Sequence, residues 1–106
     1  MSARQPFAPA YGNGTGPLTG SGTSQKTAAV FSKGAKNLRV LVTGTGVGYI
    51  RTFNNASFDT GADTATTKDY PVAGGLTTTI TKPEGHDSIA YIGAGLVFYP
   101  IIGEGW

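Results

Sequence analysis

The chain has 106 residues, of which 13% are charged and 17 are glycine, and its formal net charge is +2. This length allows one domain with a small core, and so small a net charge gives no argument for nucleic-acid binding. There is no cysteine, so disulfides and thiolate metal sites are excluded. The only histidine is His86, which excludes most catalytic arrangements and metal sites that need several histidines. We therefore expect no cofactor.

The first 23 residues have the composition of an extended arm. They contain five glycines and three prolines, and Arg4 is their only charge. Glycine loses much entropy on ordering and proline interrupts helices and central strands, so this segment has no local tendency to fold. We predict an arm over residues 1–23, ordered only against another protein, and a folded body over 24–106. The predicted partner contacts are Arg4, Phe7, Tyr11, Leu18 and Trp106.

Alternation of apolar and polar residues with a period of two dominates the body and predicts β-strands. The glycines of Gly44-Thr45-Gly46 are expected to close a hairpin between two of them, residues 54–70 to be mostly loop, and 71–75 to be a turn. The pattern predicts an all-β fold, either a small antiparallel β-sandwich or a jelly-roll-like barrel. Strands are predicted at 27–31, 38–43, 47–53, 76–81, 88–92 and 96–102.

Two predicted strands, over 38–42 and 96–102, are partly apolar on both faces. This pattern suits central strands, or strands that another subunit covers. Charge is also segregated along the chain, because the bases from Lys26 to Arg51 precede every acid and all six acids lie from Asp59 onward. Either these charges lie on solvated strand faces, or they give the subunit opposite ends that attract in a ring or lattice.

The motif Asp59-Thr60-Gly61-Ala62-Asp63 matches the active-site loop of retroviral-type aspartic proteases. Those homodimers bring together two aspartates that share a proton and activate water, and Ile101-Ile102-Gly103 resembles their supporting segment. No apolar strand precedes the motif here, and it lies past the midpoint of the chain. We therefore predict a non-enzymatic protein and keep the protease as the alternative, which Asp59→Asn and pepstatin inhibition would test. His86 is predicted to be a hydrogen-bonded turn residue.

No stretch has the apolar core of a signal peptide, and no apolar run is long enough to span a bilayer. We therefore expect no role in a membrane. The Gly and Pro turns and the strand pattern leave the strand order open.

From Leu38 to Trp106 the body resembles small β-sandwich proteins of tailed bacteriophages. The resemblance rests on the order of several landmarks rather than on any one of them. These are Arg39–Gly44, Tyr49–Arg51, Asp69–Gly74, Thr79–Lys82, His86–Ile92 and Gly103–Trp106.

The resemblance implies a virion structural part, and we favour a capsid decoration or cement protein on the outer capsid surface, made in the host cytoplasm. Its implied partner is the major capsid protein, and it implies a homo-oligomer, with a trimer favoured. A tail or neck component, or a sugar-binding module on a tail, remains an alternative. We expect that deleting residues 1–20 leaves a folded body that no longer occupies capsids.

Overall fold

The computed structural model describes residues 7–27, 30–34, 36–56 and 60–104. Over these residues the chain forms nine β-strands and no helix, which confirms the predicted all-β class. In chain order the strands are β1 (Ala8–Gly14), β2 (Leu18–Thr19), β3 (Gln25–Lys26), β4 (Lys36–Gly44), β5 (Val47–Phe53), β6 (Tyr70–Ala73), β7 (Thr77–Lys82), β8 (Ser88–Ile92) and β9 (Leu96–Glu104).

The strands form two antiparallel sheets that pack as a small β-sandwich, as predicted. Sheet A has the order β1-β9-β4-β7, and β2 also pairs with β9. Sheet B has the order β3-β8-β5-β6. The two longest strands, β4 and β9, lie side by side at the centre of sheet A.

The core lies between the sheets because one face of each central strand is apolar. Leu38, Val40 and Val42 of β4 are fully buried, as the period-two pattern predicts. The rings of Tyr91 and Phe98 come from different sheets and meet at 5.2 Å, tilted by 49°. Burying each large side chain contributes about 1.5–3 kcal/mol. The other buried members of this cluster are Phe31, Ile50, Val72, Ile89, Leu96 and Ile102.

The predicted hairpin at Gly44-Thr45-Gly46 is wrong, because β4 lies in sheet A and β5 in sheet B. The connection crosses from one sheet to the other. Gly44 and Gly46 both have φ of +105°, which residues with a Cβ rarely adopt, and a Cβ on Gly44 would collide with the carbonyl of Gly95. A period of two tells which side chains share a face, but it does not tell which strand is the partner.

The structure also differs from the predicted free arm. β1 and β2 pair with β9 of the same chain, in a register that places Ala8 opposite Glu104 and Leu18 opposite Phe98. The free edge of β9 supplies backbone partners that outweigh the poor strand propensity of this segment. Proline is tolerated because the segment is an edge of the sheet. Residues 7–23 therefore belong to the sandwich, and the predicted boundary at residue 23 falls inside it.

Two shorter segments differ in detail. β3 lies just before the strand predicted at 27–31, although the amides of Thr27 and Phe31 still bond to the carbonyls of Ile89 and Asp87, each at 3.0 Å. β6 occupies part of the turn predicted at 71–75, and Pro71 fits there because β6 is an edge of sheet B.

The long connection between β5 and β6 covers part of the outside of sheet B. Ala65 packs with Phe53 and Ala90 in a second small cluster, which Ile92 borders. The Ala65 amide donates to the Ser24 hydroxyl at 2.8 Å. Sheet B is therefore partly covered on both faces by its own chain.

Candidate functional site: the outer face of sheet A

The outward side chains of β4 and β9 form a surface with an apolar centre and a polar end, which we call the outer face of sheet A; it is made up of Arg39, Leu41, Tyr99 and Ile101. Arg39 lies opposite Ile101, and Leu41 lies opposite Tyr99. Such cross-strand neighbours are in contact range on one face of a sheet. Leu41 is 42% exposed and Tyr99 is 40% exposed, so the centre of the longest strands carries large apolar groups in water.

A shallow groove of about 370 Å³, the Tyr99 groove, runs along this face. Its walls are Leu41, Tyr99 and Ile101, and Pro100 contributes to its lining. The opposite border is the segment 14–16, which runs from the last residue of β1 towards β2 and in which two of three residues are glycines without side chains. A backbone hydrogen bond of 2.9 Å from the Thr15 amide to the Pro100 carbonyl fixes this border.

The conformation of Gly16 helps to keep the groove open. Its φ is +142°, and a Cβ there would lie 3.0 Å from the Phe98 carbonyl oxygen. A larger residue would therefore strain the backbone beside Tyr99.

Arg39 forms one polar end of the outer face. Its guanidinium lies over the Phe7 ring at 4.3 Å from the centroid, and its Nε donates to the Thr79 hydroxyl at 3.0 Å. Phe7 can approach because Gly103 beneath it has no side chain; a Cβ there would lie 2.7 Å from the Phe7 ring. These contacts hold a cation in a defined position beside the apolar groove.

The structure places two of the five predicted partner contacts against their own chain. Phe7 covers Gly103 and Arg39, and Leu18 packs against the core. Tyr11 is in β1, but its side chain lies outside the described part of the structure, as do the whole of Arg4 and Trp106. The role of those three residues as partner contacts stays a prediction.

The predicted contact residues do not include Leu41, Tyr99 and Ile101, which the structure places on the outer face of sheet A. A signal for them is present in the sequence, because the strands that contain them are partly apolar on both faces. That pattern alone could not decide whether the chain itself or another molecule covers the second face.

A polar cluster lies at the end of the sandwich where β7 turns into β8. The fully buried Lys82 donates from Nζ to the carbonyls of Gly34 and His86, each at 2.7 Å. Burial lowers the pKa of Lys82. The His86 Nδ1 lies 2.7 Å from the Thr52 hydroxyl, which confirms a hydrogen-bonded turn histidine. Burial, with the Lys82 and Arg51 charges, lowers the pKa of His86.

Asp87 is the buried acid of this cluster. Burial alone would raise the pKa of Asp87, but hydrogen bonds from the Asn55 amide (3.0 Å) and the Ser88 hydroxyl (2.8 Å), helped by the Lys33 charge, lower it. The charged groups of this cluster have partners within the chain, so the arrangement ties loops together.

The protease-like motif is only partly described, because Asp59 lies outside the described residues. Gly61 has φ of +86°, which suits a turn, and Asp63 accepts a 2.5 Å hydrogen bond from Lys26 of β3, which lowers the pKa of Asp63. The segment Ile101-Ile102-Gly103 lies in β9 of sheet A, whereas β3 belongs to sheet B. Asp63 of the protease-like loop is therefore attached to sheet B, whereas the segment that resembles the supporting segment lies in sheet A.

Among the residues that the structure describes, no group of three or more His, Asp or Glu side chains is placed to hold a metal ion. The described residues also form no helix with the length and apolar character needed to cross a membrane.

Comparisons of the chain with protein-family models, with curated proteins and with solved structures found no match.

Proposed function

We propose that this protein is a non-enzymatic structural subunit of a phage virion, a capsid decoration or cement protein that binds the major capsid protein. The observation that carries the proposal is the outer face of sheet A, where Leu41 and Tyr99 are exposed beside an open groove. The order of phage-like landmarks in the body supports the choice of partner.

The outer face has the composition of a binding surface. Interfaces are enriched in Tyr and Arg, and a few such residues near the centre carry most of the binding energy. Tyr99 lies beside the groove, and Arg39 is held in place by Phe7 and Thr79. An apolar side chain of the capsid protein would enter the groove, while a carboxylate or carbonyl would meet Arg39.

A single contact of this size gives only modest affinity, and many repeated contacts on a shell raise the overall affinity. Linked sites gain avidity because each bound site raises the effective concentration at the next. The chain enters β1 and leaves β9 at the same end of sheet A, since Ala8 lies opposite Glu104. Additional contacts through Arg4 and Trp106 would therefore start from one place on the subunit.

The test uses capsids assembled without this protein and measures how much of each variant they bind. Tyr99→Ala removes an exposed phenol from the groove, and we expect the affinity for capsids to fall at least about tenfold. The matched control is Tyr70→Ala, which removes a phenol of similar exposure (48%, against 40% for Tyr99) from β6 of sheet B. We expect the control to change the affinity less than about threefold.

The proposal would be contradicted if Tyr99→Ala and the wild-type protein bound capsids equally. Circular dichroism would first establish that both proteins are folded. Cryo-electron microscopy of virions gives the location. Density for the sandwich on the tail or neck, with none on the capsid shell, would replace the decoration role by the tail alternative.

A further inference from the structure

The outer edge of β7 is an open strand edge. Within the part of the chain that the structure describes, this six-residue strand is the last of sheet A and pairs only with β4. We propose that two copies of this protein pair through β7, antiparallel about a two-fold axis at Thr79, so that their A sheets form one continuous sheet. This inference concerns the isolated protein and does not depend on capsid binding.

The hydrogen-bond ladder identifies which groups of β7 point outward. The Val42 amide bonds to the Leu76 carbonyl at 3.0 Å, and the Gly75 amide bonds to the Val42 carbonyl at 2.7 Å. In an antiparallel ladder every second residue bonds to a given neighbour. Residues 78, 80 and 82 therefore direct their backbone groups towards β4, and those of Thr77, Thr79 and Thr81 point away from the sheet.

These three threonines are arranged symmetrically about Thr79. A two-fold axis at Thr79 places it opposite its own copy and places Thr77 opposite the partner's Thr81. All three are then hydrogen-bonded pairs, and the outward amides and carbonyls can form about six bonds between the copies. An unrelated strand could also add to the edge, but a second copy brings the same edge with the same three threonines and forms a closed two-fold pair.

Between Thr77 and Lys82 the register is regular, and this stretch lacks the features by which proteins usually protect an edge strand; the irregular pairing of Gly75 and Leu76 with Val42 comes before it. Such features are proline, bulges and outward charges. The strand contains no proline, and its only charge, Lys82, is directed inward to the carbonyls of Gly34 and His86. In contrast, the edge strand β1 contains Pro9 and an irregular register, and β6 contains Pro71.

Charge does not oppose the pairing. The nearest described cation on this face is Arg39 of β4, one strand in from the edge. In the paired sheet the two β4 strands would be three spacings apart, roughly 14 Å. That distance exceeds the Debye length of about 8 Å at physiological salt, so repulsion between the two arginines is weak.

Sedimentation equilibrium of the full chain tests the pairing in solution. We expect a monomer–dimer equilibrium, with a dissociation constant on the order of micromolar or weaker because the contact is small. Thr79→Lys places two ammonium groups face to face at the axis and should weaken the dimer at least tenfold. The control Thr43→Lys adds the same charge on β4, away from the edge, and should leave the dimer unchanged.

Crosslinking tests the register. The chain has no cysteine, so Thr79→Cys introduces a single thiol. In a hydrogen-bonded antiparallel pair the Cα atoms are about 5.5 Å apart, which a disulfide can span, so mild oxidation should give a covalent dimer. Thr81→Cys is the matched control on the same edge, because the two copies of this position would lie roughly 14 Å apart.

Three results would overturn the proposal. The first is a wild-type chain that stays monomeric up to millimolar concentration, and the second is a trimer as the only oligomer. The third is equal crosslinking of Thr79→Cys and Thr81→Cys. Preferential crosslinking at position 79 together with dimer loss in Thr79→Lys would establish the pairing.

Discussion

Asp87 shows how a single residue can be buried and remain charged. It is 3% exposed, yet it accepts hydrogen bonds from Asn55 and Ser88, and Lys33 lies 3.7 Å away. Its pKa is lowered, so the unfolded chain takes up a proton at a higher pH than the folded chain does. The stabilisation is therefore present above the unfolded pKa and is lost as pH falls through the folded pKa.

This sign gives a prediction for acid unfolding. Asp87→Asn keeps an oxygen acceptor but removes the charge, and we expect it to lower the free energy of unfolding at pH 7 by about 1–3 kcal/mol. The difference from wild type should shrink as pH falls from about 5 to about 2, because the wild-type carboxylate becomes protonated. Urea unfolding at several pH values measures it.

The control for Asp87→Asn is Glu84→Gln, which removes an exposed carboxylate from the neighbouring turn. We expect this change of an exposed side chain to alter the free energy of unfolding by less than about 0.5 kcal/mol at pH 7. An Asp87→Asn penalty that stays constant down to pH 2 would contradict the assigned role of the charge.

At the scale of strands, the N-terminal segment is part of sheet A. Leu18 packs against the core next to Phe98, so Leu18→Ala should lower the free energy of unfolding by about 1–3 kcal/mol. The control Thr19→Ala changes an exposed neighbour in the same strand and should cost less than about 1 kcal/mol. Urea unfolding followed by circular dichroism compares the two.

If Leu18→Ala and Thr19→Ala both left the free energy of unfolding unchanged, the N-terminal segment would instead be the free arm that the sequence predicts. The structure also changes what we expect from deleting residues 1–20. That deletion removes β1 and β2 and leaves the outer edge of β9 open, so the truncated body should be less stable than the full chain.

How much of this fold the sequence could predict depends on the physical signal available. Alternation correctly identified the buried face of β4 through Leu38, Val40 and Val42, because burial imposes a period of two. Strand pairing depends on contacts between residues far apart in sequence, so the local pattern wrongly predicts a hairpin between β4 and β5. The pairing of the Gly- and Pro-rich segment with β9 could not be predicted either, since local propensity opposes it.

At the scale of the whole molecule, the charge segregation along the chain has a structural explanation. Each of the four ion pairs found among the described residues joins a base from the first half of the chain to an acid from the second half. These are Lys26–Asp63, Lys33–Asp87, Lys36–Glu104 and Arg51–Asp69. Much of the segregated charge is therefore paired within one subunit, which weakens the idea of attracting poles between subunits.

If the apolar outer face makes the contact, salt should have little effect on capsid binding. Raising sodium chloride from about 0.05 M to about 0.5 M screens exposed charges but leaves apolar burial intact. We expect the affinity for capsids to change less than about threefold, measured by co-sedimentation. A fall of more than about tenfold would point to docking through charge.

The pairing of the first described strand with the last one also constrains how the protein is made. Ala8 meets Glu104, and β9 separates β1 from β4, so β1 cannot take its place in sheet A until β9 has been made. At typical translation rates the interval between the synthesis of β1 and that of β9 is about 5–20 s, during which β1 has no neighbouring strand. A chain that ends before β9 lacks the strand that lies between β1 and β4, so its sheet A stays incomplete.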